Sequence, residues 1–289
     1  MGDLERDTRL SGGEGRYTIT LSHDWDIWGP NGGYMAAVAL RAAGMEAKIE
    51  RPISIACHFL GVPRPQPVDV EVRTVQAGRR AESIHVVYSQ EGRAMVQAIV
   101  RTAAESPGVE HNFLRMPEVP HHSKLKSFLD HWTGPIEDPV PFWENLDSRI
   151  IYPERISENE NPMPADVLEW YRFQPTATFP DPFVDAARAV ILMDTFAWSA
   201  GANPHPRNTR QYQGVNLDVV AWFYEPAPDS AWLLCDYESP IATRGLVAGR
   251  GRVWADDGRL IAMGGAQVLC LPARERGPNA ENKTLPEQG

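Results

Sequence analysis

The sequence predicts an α+β protein made of two copies of one helix-on-sheet unit within a single chain of 289 residues. Three observations predict it. Two long segments read as helices that are apolar almost all round. Each is followed by four strand-like runs, and each is preceded by further strand candidates. The order strand, buried helix, four antiparallel strands therefore occurs twice.

The first helix starts near Asn31 and runs through GGYMAAVALRAAG. Asn31 suits the N-cap, where a side-chain oxygen accepts from an orphan amide, and Gly44 suits a left-handed C′ position. The second helix runs from residue 182 to about 201 (PFVDAARAVILMDTFAWSAG). Asp181 is its expected N-cap, and Pro182 fits the first helical position, where its missing N–H costs nothing. Helices without a polar face are normally wrapped by other structure.

The strand-like runs of the first half are residues 53–60, 68–75, 81–90 and 94–104, with 17–22 before the helix. In the second half they are 214–224, 232–238, 246–254 and 260–271, preceded by 148–152 and 167–173. Val68, Val70 and Val72 alternate with Asp69, Glu71 and Arg73, as in a half-buried strand. Gly78-Arg79-Arg80, Glu91-Gly92-Arg93 and Asp256-Asp257-Gly258 read as hairpin connections. EGRAMVQAI in the first half corresponds to DGRLIAMGG in the second, each with a turn before the last strand. The expected organisation is an N-terminal repeat at 1–105, a linker at 106–143, a C-terminal repeat at 144–273 and a disordered tail at 274–289. Both termini are polar and expected to fray.

Composition narrows the function. Hydrophobic residues make up 43% and charged residues 23%, and the formal net charge is −10. An acidic chain gains no counterion-release energy from a polyphosphate, so no nucleic-acid partner is expected. No secretory signal or myristoylation pattern opens the chain. The longest apolar stretch, 186–200, holds Arg188 and Asp194, so no membrane insertion is expected. Cys57, Cys235 and Cys270 fit neither a metal knuckle nor a disulfide framework. They read as buried thiols in a reduced, cytoplasmic compartment. The histidines at 111, 121, 122 and 131 lack supporting ligands at metal spacing and read as solvated loop, so no metal is expected. No P-loop or GxGxxG is present, and Gly249-Arg250-Gly251 lies inside a strand, so no cofactor is expected. Ser199 lacks the first glycine of a nucleophile elbow and sits in a helix.

One helix wrapped by a curved antiparallel sheet is the hotdog unit, and two in one chain make a double hotdog. GPNGGYMAAVALRAAG (29–44) resembles the N-terminal segment of acyl-CoA thioesterase II-like (TesB-like) proteins. RGLVAGRGRVWADDGRLIA (244–262) resembles their C-terminal strands. The resemblance covers about 17–104 and 182–272. It implies an acyl-CoA or acyl-carrier thioester substrate, hydrolysed by water without a cofactor. Further association into a homo-oligomer is compatible with the fold.

Such hydrolysis needs a positioned water, a base and donors for the developing oxyanion. Asp194 is the most informative residue, because a carboxylate in an apolar helix costs free energy unless it is paired. From the residues alone it is either a base with a raised pKa or an acceptor for a neighbouring strand. The resemblance implies water activation by a helix Asp at this place, aided by a Thr in the next strand and a Gln in the last. Asn216 stands at the Thr position, and an amide offers both donor and acceptor. Asp218 in the same strand reads equally as an outward acid. A gapless alignment puts Ala266 at the Gln position, so Gln267 reaches it only with a bulge at Gly264-Gly265, which is the expectation. Gly32 and Gly33 are expected oxyanion donors or simply close-packing residues, and Tyr34 a lining of the acyl pocket or core. Arg244 and Gly245, with Arg250 and Arg252, are expected to meet the coenzyme phosphates or else to solubilise the strands. Two alternatives are a non-catalytic acyl-ligand binder and a hotdog hydratase or dehydratase. The latter rests on Asn203-Pro204-His205, which lacks a nearby preceding Asp.

Overall fold

The computed structural model describes residues 1–132, 139–157, 161–205 and 211–272. The first repeat holds α1 (Leu4–Asp7), β1 (Ser11–Gly13), β2 (Arg16–Thr20), α2 (Gly32–Glu46), β3 (Pro52–Phe59), β4 (Pro67–Ala77), β5 (Ala81–Gln90) and β6 (Arg93–Ala103). After α3 (Phe128–His131), the second holds β7 (Leu146–Ile150), α4 (Glu154–Ser157), β8 (Asp166–Phe173), α5 (Pro182–Ala202), β9 (Tyr212–Phe223), β10 (Leu233–Thr243), β11 (Leu246–Ala255) and β12 (Leu260–Pro272).

The twelve strands of the described residues form one antiparallel sheet in the order β1-β2-β4-β5-β6-β3-β9-β12-β11-β10-β8-β7. Read outward from its middle, β3-β6-β5-β4-β2 mirrors β9-β12-β11-β10-β8, the topology of two repeats related by a pseudo-twofold axis. The repeats join where β3 pairs β9, with Ala56 opposite Val220. The two expected helices are the two long ones, α2 and α5, packed together in a core shared with the inward residues of the strands. Asn31 caps α2 by accepting from the Tyr34 amide, and Asp181 caps α5 by accepting from Phe183 and Val184. The hairpins are as read: Glu91 and Gly92 both take positive φ, as does Gly258.

Several expectations change. Gly44 is not the C′ residue, because α2 continues to Glu46; a Cβ on Gly44 would stand 2.7 Å from the Phe183 ring, so it serves helix–helix approach. The N-terminal segment is docked: Leu4 is buried, and the Tyr34 hydroxyl donates to Asp7 O at 2.6 Å. Part of the linker packs too. Leu114, Met116, Val119 and Leu125 cover a second cluster of Trp170, Trp232, Leu234, Trp254 and Leu260 on the face of the sheet away from the helices. His122 stacks on Trp232 at 4.7 Å instead of standing in solvent. The expected tail lies outside the described residues. Cys57 and Cys235 are buried, whereas Cys270 is half-buried. No helix among the described residues is long and apolar enough to cross a membrane.

Candidate active site

Asp194 is 1% exposed, at mid-helix in α5. The helix cannot turn this carboxylate to solvent, because its neighbours Val190, Ile191, Leu192 and Met193 are themselves buried. Every stabilising contact must therefore come from protein groups. Asn216 in β9 donates through Nδ2 to Asp194 Oδ1 at 2.7 Å and to its backbone oxygen at 2.8 Å. The Gly33 amide, in the unpaired first turn of α2, donates to Oδ2 at 2.7 Å. Asn31 Nδ2 reaches Oδ2 at 3.4 Å and Thr195 Oγ1 at 3.3 Å. The site thus joins the N-terminus of the first repeat's helix to the helix and β9 of the second.

Burial pushes the Asp194 carboxyl up to about 6, against the pull of the Asn216 and Gly33 hydrogen bonds. A group at that value is ionised at neutral pH and still basic enough to take a proton. The positive end of α2 favours the charged form.

The pseudo-symmetry explains why this arrangement occurs once. Gly33 and Phe183 are each the second residue of their helix, and Gly44 and Asp194 each lie eleven residues further on. Gly33 meets Asp194, while the matching pair is Phe183 against Gly44. The second location has a benzene ring in place of the amide contact and no carboxylate.

The other expected residues divide. Gly32 is at the site: a Cβ there would stand 2.8 Å from Asp194 Oδ1 and from the Phe59 ring. Gly33 packs against Ile191, but its N–H is committed to Asp194, so here it holds the carboxylate instead of facing an oxyanion. Tyr34 is buried; it stacks on Trp25 at 5.3 Å and ties down the N-terminal segment. Arg244 and Gly245 form the positive-φ turn between β10 and β11. Arg250 is on the outer face, paired with Glu238 at 2.8 Å, and Arg252 pairs with Asp236 at 3.3 Å. Neither arginine is beside Asp194, because the alternating residues Gly249 and Gly251 take the inner face.

Gln267 is exposed and Ala266 is buried. The expected bulge at Gly264-Gly265 is absent, since both glycines pair in register with β9 and β11. The irregularity lies instead in β9, where Gln267 faces Asp218 and Val268 faces Asn216, so that Leu217 is the extra residue. That bulge turns Asn216 inward and leaves Asp218 on the outer face, where it accepts from the Gln267 amide at 3.1 Å. Sequence reasoning saw Asn31 only as a cap and missed Phe59 and Thr195; for Thr195 the available signal was its place next to Asp194. Among the described residues no cluster of His, Cys and carboxylates suits a metal ion.

Residues 21–103 match the acyl-CoA thioesterase N-terminal domain family, and residues 118–270 match the acyl-CoA thioesterase C-terminal domain family. Acyl-CoA thioesterase 2 of Haemophilus influenzae is 24% identical over 245 residues, 80% of this chain and 84% of that protein. Two solved structures carry the same double-hotdog fold. A hot dog fold protein of unknown function from Alicyclobacillus acidocaldarius superposes with a TM-score of 0.78 at 20% identity, covering 94% of this chain and 98% of its own. The acyl-CoA thioesterase II TesB2 of Mycobacterium marinum gives 0.75 at 20%, with 94% and 99% covered.

Proposed function

This chain belongs to the acyl-CoA thioesterase family, and from that premise we propose that it hydrolyses acyl-CoA by direct attack of water with Asp194 as the base. The observation that carries the assignment of the base is the buried Asp194 carboxylate, its pKa raised to about 6 and its orientation set by Asn216 and Gly33. A water beside Asp194 gives one proton to the carboxylate as its oxygen bonds to the thioester carbon. The carbonyl oxygen takes up the charge near the opening turn of α2, whose positive end favours it. The C–S bond then breaks, and the departing thiolate takes the proton from Asp194, leaving a fatty acid and free coenzyme A. No cofactor enters these steps. The three free cysteines are compatible with a reducing cytoplasm.

One observation favours the second reading, a non-catalytic acyl-ligand binder: Gln267 faces away from Asp194 and Ala266 stands in its place. Free-thiol release from short, medium and long acyl-CoAs decides between them, with Asp194→Asn run in parallel. Turnover that disappears in a folded Asp194→Asn protein is the expected result. Acyl-CoA binding without turnover by the unmodified protein would select the binder.

A further inference from the structure

Two glycines in β11 have no explanation in the strand itself. Gly249 and Gly251 both face the core, and a Cβ on either would overlap the Tyr237 ring. Tyr237 belongs to β10, directly opposite Gly251. Its ring crosses β11 in the space these glycines leave and carries the hydroxyl over Gly249, whose partner on the far side is Ala266 of β12. Tyr237 is 1% exposed. Its hydroxyl comes up against the Ala266 amide but forms no full hydrogen bond with any described residue.

A buried phenol without a partner is costly, and tyrosines in cores normally find one. Ala266, across from Gly249, lies two residues along β12 from Val268, which pairs with Asn216. A Cβ on Gly251 would meet both the Tyr237 ring and Met193, the residue before Asp194, so ring and carboxylate occupy neighbouring parts of one core. Burial raises the hydroxyl well above the usual phenol range. Meanwhile the close donors around Asp194 point at Asp194 itself. Both Nδ2 protons of Asn216 go to Asp194, and so does the Gly33 N–H. Neither Ala266 nor the outward Gln267 supplies a side-chain polar group there.

We propose that the Tyr237 hydroxyl is a catalytic group that holds the hydrolytic water, its oxygen accepting the water's second proton in a hydrogen bond while Asp194 receives the first. The water's lone pair is then aimed at the thioester carbon, and no covalent bond to Tyr237 forms or breaks. The glycine pair of β11 exists to let the ring through. This rests on the reading that Asp194 activates water, and the test separates the two.

Tyr237→Phe removes one oxygen and keeps the ring in its slot. Steady-state hydrolysis of the acyl-CoA panel is measured for the unmodified protein, Tyr237→Phe and Asp194→Asn, with a thermal melt of each. The expected result is a fall in kcat of about 100-fold in Tyr237→Phe, with KM within about twofold and the melting temperature unchanged or higher, because an unpartnered buried polar group is gone. Full kcat in Tyr237→Phe beside a dead Asp194→Asn would overturn this inference alone. So would a loss that follows a lower melting temperature or a raised KM. Absence of turnover in the unmodified protein would overturn both readings together.

Discussion

Phe183 lies against Gly44 in the position that, across the pseudo-twofold axis, belongs to Gly33 and Asp194. One repeat pair carries an amide and a carboxylate, the other a benzene ring and a hydrogen atom. The chain should therefore bind one substrate, not two. Calorimetric titration with a non-hydrolysable acyl-CoA thioether is expected to give one site per chain. A stoichiometry of two would mean that the Phe183 side also accepts ligand.

Asn216 both orients Asp194 and holds down its pKa, since its hydrogen bond favours the charged form. Activity of the unmodified protein should fall as pH drops through about 6, where the base becomes protonated. In Asn216→Ala that stabilisation is lost and the carboxylate can swing. The acid limb of the pH–kcat/KM profile is expected to move upward, and the plateau to fall by about 100-fold. A plateau loss with an unmoved limb would show that Asn216 acts on the water and not on Asp194.

How far the sequence discloses this arrangement follows from what each signal depends on. The helices are legible because caps and apolar runs are local, and the strands because alternation has a short period. Asp194 is legible for the same reason: the one acid in the apolar stretch 186–200 needs no alignment to be noticed. Gln267 is not, because a bulge is expected in β12, whereas β12 runs in unbroken register with β11 from Ala262 to Leu269 and the extra residue, Leu217, lies in β9. Arg250 and Tyr34 are open in the same way: residue type admits a ligand contact or none, and only the packing places Arg250 outside the sheet and Tyr34 against Trp25. The helix-to-helix contact of Gly33 with Ile191 joins residues far apart in the chain, which no local pattern reports.

Gly32 and Gly33 should respond differently to alanine. A Cβ on Gly33 would lie 2.6 Å from Ile191 Cα, and backbone inside two packed helices has little freedom to yield. Gly33→Ala is expected to cost about 1–3 kcal/mol of stability, read as a lower urea midpoint. A Cβ on Gly32 meets a ring edge that can swing and the Asp194 carboxylate that cannot. Gly32→Ala should keep most of the stability and lose most of the activity. Equal stability losses in the two variants would contradict this division.

Asp194 also fixes how stability varies with pH, in the direction opposite to a salt-bridged aspartate. Its folded pKa of about 6 lies above the ordinary value of 3.8, so the folded chain binds the proton more tightly than the unfolded chain between those values. Its contribution is fully present below about 3.8 and is lost as pH rises through about 6. From pH 4.5 to 7.5 the loss amounts to about 2 kcal/mol, at about 1.4 kcal/mol per pH unit over the part of the window crossed. Glu169, pushed up to about 7 chiefly by burial, acts in the same direction, so the effect of Asp194 must be isolated by difference. Urea melts of the unmodified protein and Asp194→Asn at the two pH values provide it. The unmodified protein is expected to lose about 2 kcal/mol more than the variant on going to pH 7.5. Parallel losses would mean that Asp194 is ionised in the folded chain at pH 4.5 as well, with a pKa too low for the base proposed here.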